Sequence, residues 1–154
     1  MQTKVLMVCL GNICRSPLAE GILKSKVNPD KVFVDSAGTG GFHIGERPDP
    51  RSIAVARLYG LDISHQRCRK FIVEDFDNFD IIYAMDRSNY QNILLLADSA
   101  YQVKKVKLLL EEASLDSIEV PDPYYGGELG FENVFKMITT ACEIIADRLN
   151  NSQQ

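Results

Sequence analysis

The chain has 154 residues, 45% hydrophobic and 25% charged, with a formal net charge of −4. That length lies within the usual single-domain range of about 100–200 residues, and the composition contains no low-complexity or linker-like block. The acidic balance argues against a broad nucleic-acid or anionic-membrane surface, which would need clustered, uncompensated Lys and Arg, so any bound anion must be held locally.

The first apolar run, residues 4–8, predicts a strand. It is too short for a membrane span or a signal-peptide core, so the chain reads as cytoplasmic, without membrane insertion. It stops at Cys9 and gives way to Gly11 and Asn12, then to a helix over 17–27. A strand follows at 32–35 and a helix at 51–59, with turn chemistry at Asp75 and Asp77. Next come a strand at 81–84, a helix at 88–96 and a strand at 106–110. The last helix, 131–149, carries the stripe Phe131, Val134, Phe135, Ile138, Cys142, Ile145 and Leu149 at helical spacing. Strands that are nearly all apolar, alternating with helices, predict one α/β domain over residues 1–150 with a parallel sheet covered on both faces. Residues 151–154 form a short polar tail. In such a sheet the site lies beyond the carboxyl ends of the strands, where Cys9 stands.

A strand, a short loop and a helix start make an anion cradle from loop amides and the helix's unpaired N–H groups. Gly11 and Asn12 are types that reach positive φ, Ser16 fits an N-cap and Pro17 the first helical position. Arg15 adds a planar fork that can hold two oxygens of a tetrahedral oxyanion. The Walker pattern is absent, and no lysine stands in the loop. In its place is a thiol, whose reactive thiolate is favoured by a helix N-terminus beside an arginine.

The four cysteines, Cys9, Cys14, Cys68 and Cys142, are too few for a disulfide framework and lack zinc spacing. The pattern C-x5-R is weak alone: eight arginines give each cysteine about a one in twenty chance of an Arg six positions on. Cys142 and Arg148 repeat it inside the last helix, where the thiol belongs to the apolar stripe and reads as structural.

The stretch Cys9-Leu10-Gly11-Asn12-Ile13-Cys14-Arg15-Ser16-Pro17 resembles the signature of the low-molecular-weight protein tyrosine phosphatases. The resemblance continues in Asp35-Ser36-Ala37-Gly38, Pro48-Asp49-Pro50-Arg51, Gly60 to His65, Met85-Asp86 and Asp122-Pro123-Tyr124-Tyr125-Gly126. It implies a flavodoxin-like domain with a four-stranded parallel sheet, and hydrolysis of aryl phosphate monoesters without metal or other cofactor. It implies that Cys9 is the nucleophile, that Arg15 holds the phosphoryl oxygens and that Asp122 is the general acid. The residues alone do not choose the acid, since Asp35, Asp49, Asp80 and Asp86 are equal candidates. By the same resemblance Leu10, Gly11, Asn12, Ile13, Cys14 and Ser16 belong to the phosphate loop, and Ser36 and His65 join Asn12 and Ser16 in a bracing hydrogen-bond network. Phe42, Tyr124 and Tyr125 match the substrate entrance, with Phe42 where many relatives carry Trp. Cys14 matches a thiol that can form a protective disulfide with the nucleophile. Asp49 and Asp86 are candidate structural partners of this network, with their roles left open. The expected partner is a phosphotyrosine-containing protein or peptide, with a tyrosine kinase as a candidate, no nucleic acid, and a monomeric chain.

Two other readings compete. A thioredoxin-coupled arsenate reductase on this fold would need closely spaced resolving cysteines after the third strand, and residues 86–110 contain none. A silent phosphotyrosine-binding module would need neither thiolate nor acid.

Overall fold

Alternate residues of the first strand feed two different cores. A computed structural model describes residues 2–127 and 129–152, without the side chains of Tyr125 and Ser152. The expectation placed on Tyr125 therefore lies outside the described residues, as do Gln153 and Gln154 of the tail. Strands β1 (Thr3–Cys9), β2 (Val32–Gly38), β3 (Ile81–Ala84) and β4 (Val106–Leu108) form a parallel four-stranded sheet in the order β2-β1-β3-β4. Val5, Met7 and Cys9 of β1 face one core, shared with helices α1 (Arg15–Lys24) and α6 (Gly130–Ser152). Leu6 and Val8 face the other, with Phe71, Phe76, Phe79 and Ile93. Burial on both faces removes the polar alternation of a one-sided strand, and each fully buried Val, Leu or Met contributes roughly 1.5–3 kcal/mol.

The remaining helices are α2 (Pro50–Leu58), α3 (Asp75–Asn78), α4 (Arg87–Leu94) and α5 (Ala100–Lys104), with 3-10 turns at Leu109–Glu112 and Pro123–Tyr125. The chain leaves β1 for β2 on one side and later returns to β3 on the other. The carboxyl end of β1 is therefore the switch point at which open α/β sheets bind ligands. Among the described residues no helix is long and apolar enough to cross a membrane.

Several boundaries differ from the sequence expectation. The strand expected over 106–110 ends at Leu108, because Leu109 and Leu110 turn into a 3-10 helix that buries both in the α6 core. Asp75 and Asp77 belong to α3 as well as to a turn. Asp75 is buried, accepting from the Ile72 amide at 2.9 Å and from both terminal guanidinium nitrogens of Arg69. Helix α5, capped by Ser99, is too short to show a periodic stripe. Helix α6 runs to Ser152, past the apolar stripe that ends at Leu149.

Candidate active site

The loop between β1 and α1 turns its carbonyls outward. Cys9 O accepts from Thr39 N at 2.9 Å, Leu10 O from Gly40 N at 2.9 Å and Ile13 O from Asp49 N at 2.7 Å. Asn12 O accepts from the Cys68 thiol at 2.8 Å, and Cys14 O from the Ser52 hydroxyl at 3.4 Å. In a planar trans peptide the carbonyl and the next amide point in opposite directions. Tying the carbonyls outward therefore aims amides at the loop's interior, the arrangement of an anion nest. Asn12 has φ 56°, alone among non-glycine described residues in the left-handed region, and its amide donates to Cys9 Sγ at 3.3 Å. Gly11 does not share the positive φ expected of it. A Cβ there would stand 3.3 Å from His43 Cδ2, so its small size serves the close approach of His43.

Helix α1 starts earlier than its polar residues suggest. Cys14 is the N-cap, without a side-chain cap bond, and Ser16 and Pro17 are the second and third helical residues. The expected Ser16 cap and Pro17 first position are both displaced because the Ser16 hydroxyl is engaged elsewhere. It lies 3.0 Å from Cys9 Sγ and accepts from Asn12 Nδ2 at 2.8 Å. Pro17 is tolerated because first-turn amides have no intrahelical acceptor. Asn12 Nδ2 also donates to Ser36 Oγ at 3.0 Å, and Ser36 Oγ donates to Glu20 Oε1 at 2.7 Å. Ser36 thus joins the bracing network, but His65 does not: it is exposed, and no described hydrogen bond links it to these side chains. The buried neighbour is Gln66, whose Nε2 donates to Pro17 O at 3.1 Å. Glu20 was missed by sequence reasoning, although its place one helical turn after Ser16 puts it on the same face.

Arg15 is buried, and its Nη1 donates to Asp86 Oδ2 at 2.7 Å and to Val120 O at 2.9 Å. Among the described residues no hydrogen bond engages the other edge of the guanidinium, Nε and Nη2, a fork of the kind that can take two oxygens of an oxyanion. Asp86 also caps α4, accepting from Asn89 N at 2.8 Å. With its amide oriented to satisfy both neighbours, Asn89 donates to Asp86 Oδ1 at 3.0 Å and accepts from Leu10 N at 3.3 Å. The role left open for Asp86 is therefore to hold Arg15.

Cys9, Gly11, Cys14 and Arg15 line a cavity of about 250 Å³, with Leu10, Ile13, Phe42, His43 and Tyr124 around it. Asp122 lines the same cavity, is exposed, and caps the following 3-10 turn by accepting from Tyr124 N at 3.0 Å. Phe42 is 72% exposed, the freest of the apolar walls. Ser16 and Asn12 are buried behind the lining. Asp49 caps α2 and is gripped by Arg51, whose Nε and Nη2 each donate to it at 3.0 Å. Burial works to raise Asp49, but hydrogen bonds from Arg51 and Tyr124 hold it below the ordinary carboxylate value. The Tyr124 hydroxyl donates to Asp49 Oδ2 at 2.8 Å while the Arg51 guanidinium lies 4.5 Å from its ring centre, which fixes the entrance wall. Burial, then the bond to Asp49, pushes the Tyr124 hydroxyl above its ordinary value. Among the described residues no group of three or more His, Cys, Asp or Glu could hold a metal ion.

The family model for low molecular weight phosphotyrosine protein phosphatase matches residues 4–154. The chain belongs to this family. It is 44% identical over 138 residues to the low molecular weight phosphotyrosine protein phosphatase of Schizosaccharomyces pombe, covering 86% of this chain and 87% of that protein. A crystal structure of a protein tyrosine phosphatase from Entamoeba histolytica superposes with a TM-score of 0.91 at 37% identity, covering 99% of this chain and 100% of that one. A Drosophila arginine phosphatase superposes with a TM-score of 0.87 at 33% identity, covering 95% and 97% of the two chains. The four-stranded α/β fold expected from the sequence is that of these structures, and the expected enzyme class, protein-tyrosine phosphatase, is that of the family and of the Schizosaccharomyces pombe and Entamoeba histolytica relatives.

The other thiols of this phosphatase-family chain differ from Cys9 in their surroundings. Burial, then the nearby Asp49 charge, pushes the Cys14 thiol up to about 12. Burial, then proximity to Cys9, raises Cys68 to about 11. Burial within α6 pushes Cys142 up to about 12. Arg148 shares its spacing from Cys142 but turns away from any anion site, pairing with Glu112 and donating to the Tyr83 hydroxyl at 3.1 Å.

Proposed function

We propose that the chain hydrolyses phosphotyrosine on proteins or peptides through a phosphocysteine intermediate, with Cys9 as nucleophile and Asp122 as general acid. The observation that supports this reading most is one cavity lined by Cys9, Arg15 and Asp122, in which the Cys9 sulfur accepts from the Asn12 amide at 3.3 Å. Cys9 Sγ attacks phosphorus as the P–O bond to the aryl group breaks, and Asp122 gives its proton to the leaving phenolate oxygen. The free edge of Arg15 and the inward amides meet the charge on the three equatorial oxygens, so no divalent cation is required. Asp122, now a carboxylate, takes a proton from the water that attacks the phosphocysteine, which releases inorganic phosphate and restores the thiolate.

Cys14 serves as the resolving thiol. Peroxide converts the Cys9 thiolate to a sulfenic acid, Cys14 sulfur displaces water to form a disulfide, and an external thiol reduces it. A second reading, phosphoarginine hydrolysis, comes from the Drosophila relative. The walls favour an aryl group: Leu10, Ile13, Phe42 and Tyr124 are apolar or aromatic, and Asp49 behind Tyr124 is already committed to Arg51. The test is turnover of phosphotyrosine and phosphoarginine peptides with chelator present, by the parent protein and Cys9→Ser. We expect phosphotyrosine to be preferred, chelator to have no effect, and Cys9→Ser to be inactive. A preference for phosphoarginine, or turnover by Cys9→Ser, would overturn the reading.

A further inference from the structure

The hydrogen bonds behind Cys9 do not end at the loop. They run from the sulfur through Ser16, Asn12, Ser36 and Glu20 to Lys24, whose Nζ donates to Glu20 Oε2 at 2.7 Å. The Glu20 side chain is only 5% exposed, whereas Lys24 is 45% exposed. Counting protons gives the chain a direction. Asn12 Oδ1 accepts from Arg69 N at 3.0 Å, so the amide nitrogen of Asn12 faces both hydroxyls and each hydroxyl receives a proton from it. Every hydroxyl has one proton of its own to give. That of Ser36 goes to Glu20, which as a carboxylate only accepts. That of Ser16 has two possible acceptors, Cys9 Sγ at 3.0 Å and the more distant Ala37 O at 3.5 Å.

We propose that Glu20 and Lys24 are positioning residues for the phosphatase reaction: with Arg69 N setting the orientation of Asn12, they hold Ser36 in place as the second acceptor of the Asn12 amide, so that the Ser16 hydroxyl donates to the Cys9 sulfur. The inference rests on the reading of Cys9 as nucleophile. Glu20 meets two donors, the Ser36 hydroxyl and the Lys24 ammonium, and needs a separate oxygen for each. A glutamine offers one acceptor oxygen and brings a competing NH₂, so Ser36 loses its fixed acceptor and can turn. A buried carboxylate also needs a counter-charge, and Lys24 supplies it from the surface. Without it, the acceptor that orders Ser36 is weakened, Asn12 loses one of the two hydroxyls that hold its amide, and the charge-assisted bond at the sulfur weakens with it.

The test substitutes Lys24, which is half exposed and leaves the core intact. Lys24→Met should lower the rate of Cys9 alkylation by iodoacetamide, followed by mass spectrometry without substrate, about tenfold, the scale of a charge-assisted hydrogen bond. Its kcat on p-nitrophenyl phosphate should fall to a similar extent with KM within twofold, and Lys24→Arg should restore both. Glu20→Gln, checked for folding by thermal melting, should behave like Lys24→Met. Parent-like alkylation and kcat in Lys24→Met would overturn the proposal, as would Lys24→Arg being as impaired as Lys24→Met. Cys9→Ser is assayed in parallel: turnover there would remove the nucleophile reading itself, whereas a parent-like Lys24→Met with inactive Cys9→Ser would remove only the role of this chain.

Discussion

Gly38→Ala is the most exacting substitution for the anion loop, because it adds one methyl group where backbone meets backbone. A Cβ at Gly38 would stand 2.7 Å from Leu10 O and 3.1 Å from Asn12 N, against an ordinary contact that begins at 3.4 Å, so the loop must retreat by 3.4 − 2.7 = 0.7 Å at Leu10. Strand β2 cannot easily yield instead, since Gly38 N donates to Arg69 O at 2.9 Å and Gly38 O accepts from Phe71 N at 2.7 Å. Misplacing a catalytic array by about 1 Å costs on the order of 10²-fold. We expect kcat/KM on p-nitrophenyl phosphate to fall about 10–100-fold, which is roughly 1.4–2.7 kcal/mol of transition-state stabilisation. Inhibition by inorganic phosphate should weaken in parallel, and overpacking should lower stability by about 1–3 kcal/mol. The control is Gly41→Ala, whose Cβ would meet only the side-chain ends of Ile44 at 3.4 Å and Lys70 at 3.5 Å and should leave kinetics unchanged. The assay is steady-state kinetics, phosphate inhibition and thermal melting in one buffer. If Gly38→Ala keeps kcat/KM and phosphate affinity within twofold of the parent, the loop is not held by β2 in the way described.

Asp122→Asn should lose about 10²–10⁴-fold on phosphotyrosine and less on p-nitrophenyl phosphate, whose phenolate leaves without a proton; equal losses across aryl phosphates of graded leaving-group pKa would move the acid elsewhere. At pH 7, iodoacetamide should place a single adduct on Cys9, blocked by phosphate, because the Cys14, Cys68 and Cys142 thiols are raised to about 12, 11 and 12; intact-mass analysis showing equal labelling at a second thiol would contradict this. Cys142 also makes stability depend on alkali. Its folded value of about 12 lies above the ordinary 9.0, so the unfolded chain loses the proton first. The stabilisation is whole below pH 9 and is lost as pH rises towards 12, on the order of 1 kcal/mol by pH 10. Urea midpoints at pH 8 and pH 10 should therefore converge more closely in Cys142→Ala than in the parent, and equal shifts would refute the assignment.

What could be read in the sequence was what neighbours in the chain decide. The apolar run into Cys9, the Gly-Asn turn, Arg15 and the last helix's stripe are local patterns, and they led to the switch point of the sheet and the cradle there. Local context also separated Cys9–Arg15 from Cys142–Arg148, whose arginine is bound by Glu112 and Tyr83. What failed depended on distant partners. Ser16 has the chemistry of a cap, but Cys9 and Asn12 compete for its hydroxyl. His65 and Gln66 are adjacent, and nothing in their order says which one turns inward. Asp86 carried no sign of its bond to Arg15, since 71 residues separate them. Glu20 looked like any polar helix residue until Ser36 arrived from β2 to donate to it.

The outward ties of the loop carbonyls have a consequence for when the site exists. Cys9 and Arg15 precede all of these anchors along the chain: the carbonyl ties come from Thr39 and Gly40, Asp49, Ser52 and Cys68, and the partners of Arg15 from Asp86 and Val120. A chain still emerging from the ribosome therefore carries Cys9 without its surrounding loop geometry until Val120 has followed, since domains generally fold as units. Folding itself is the safety catch, and a truncation before Val120 should yield a reactive-looking motif that recognises no phosphate.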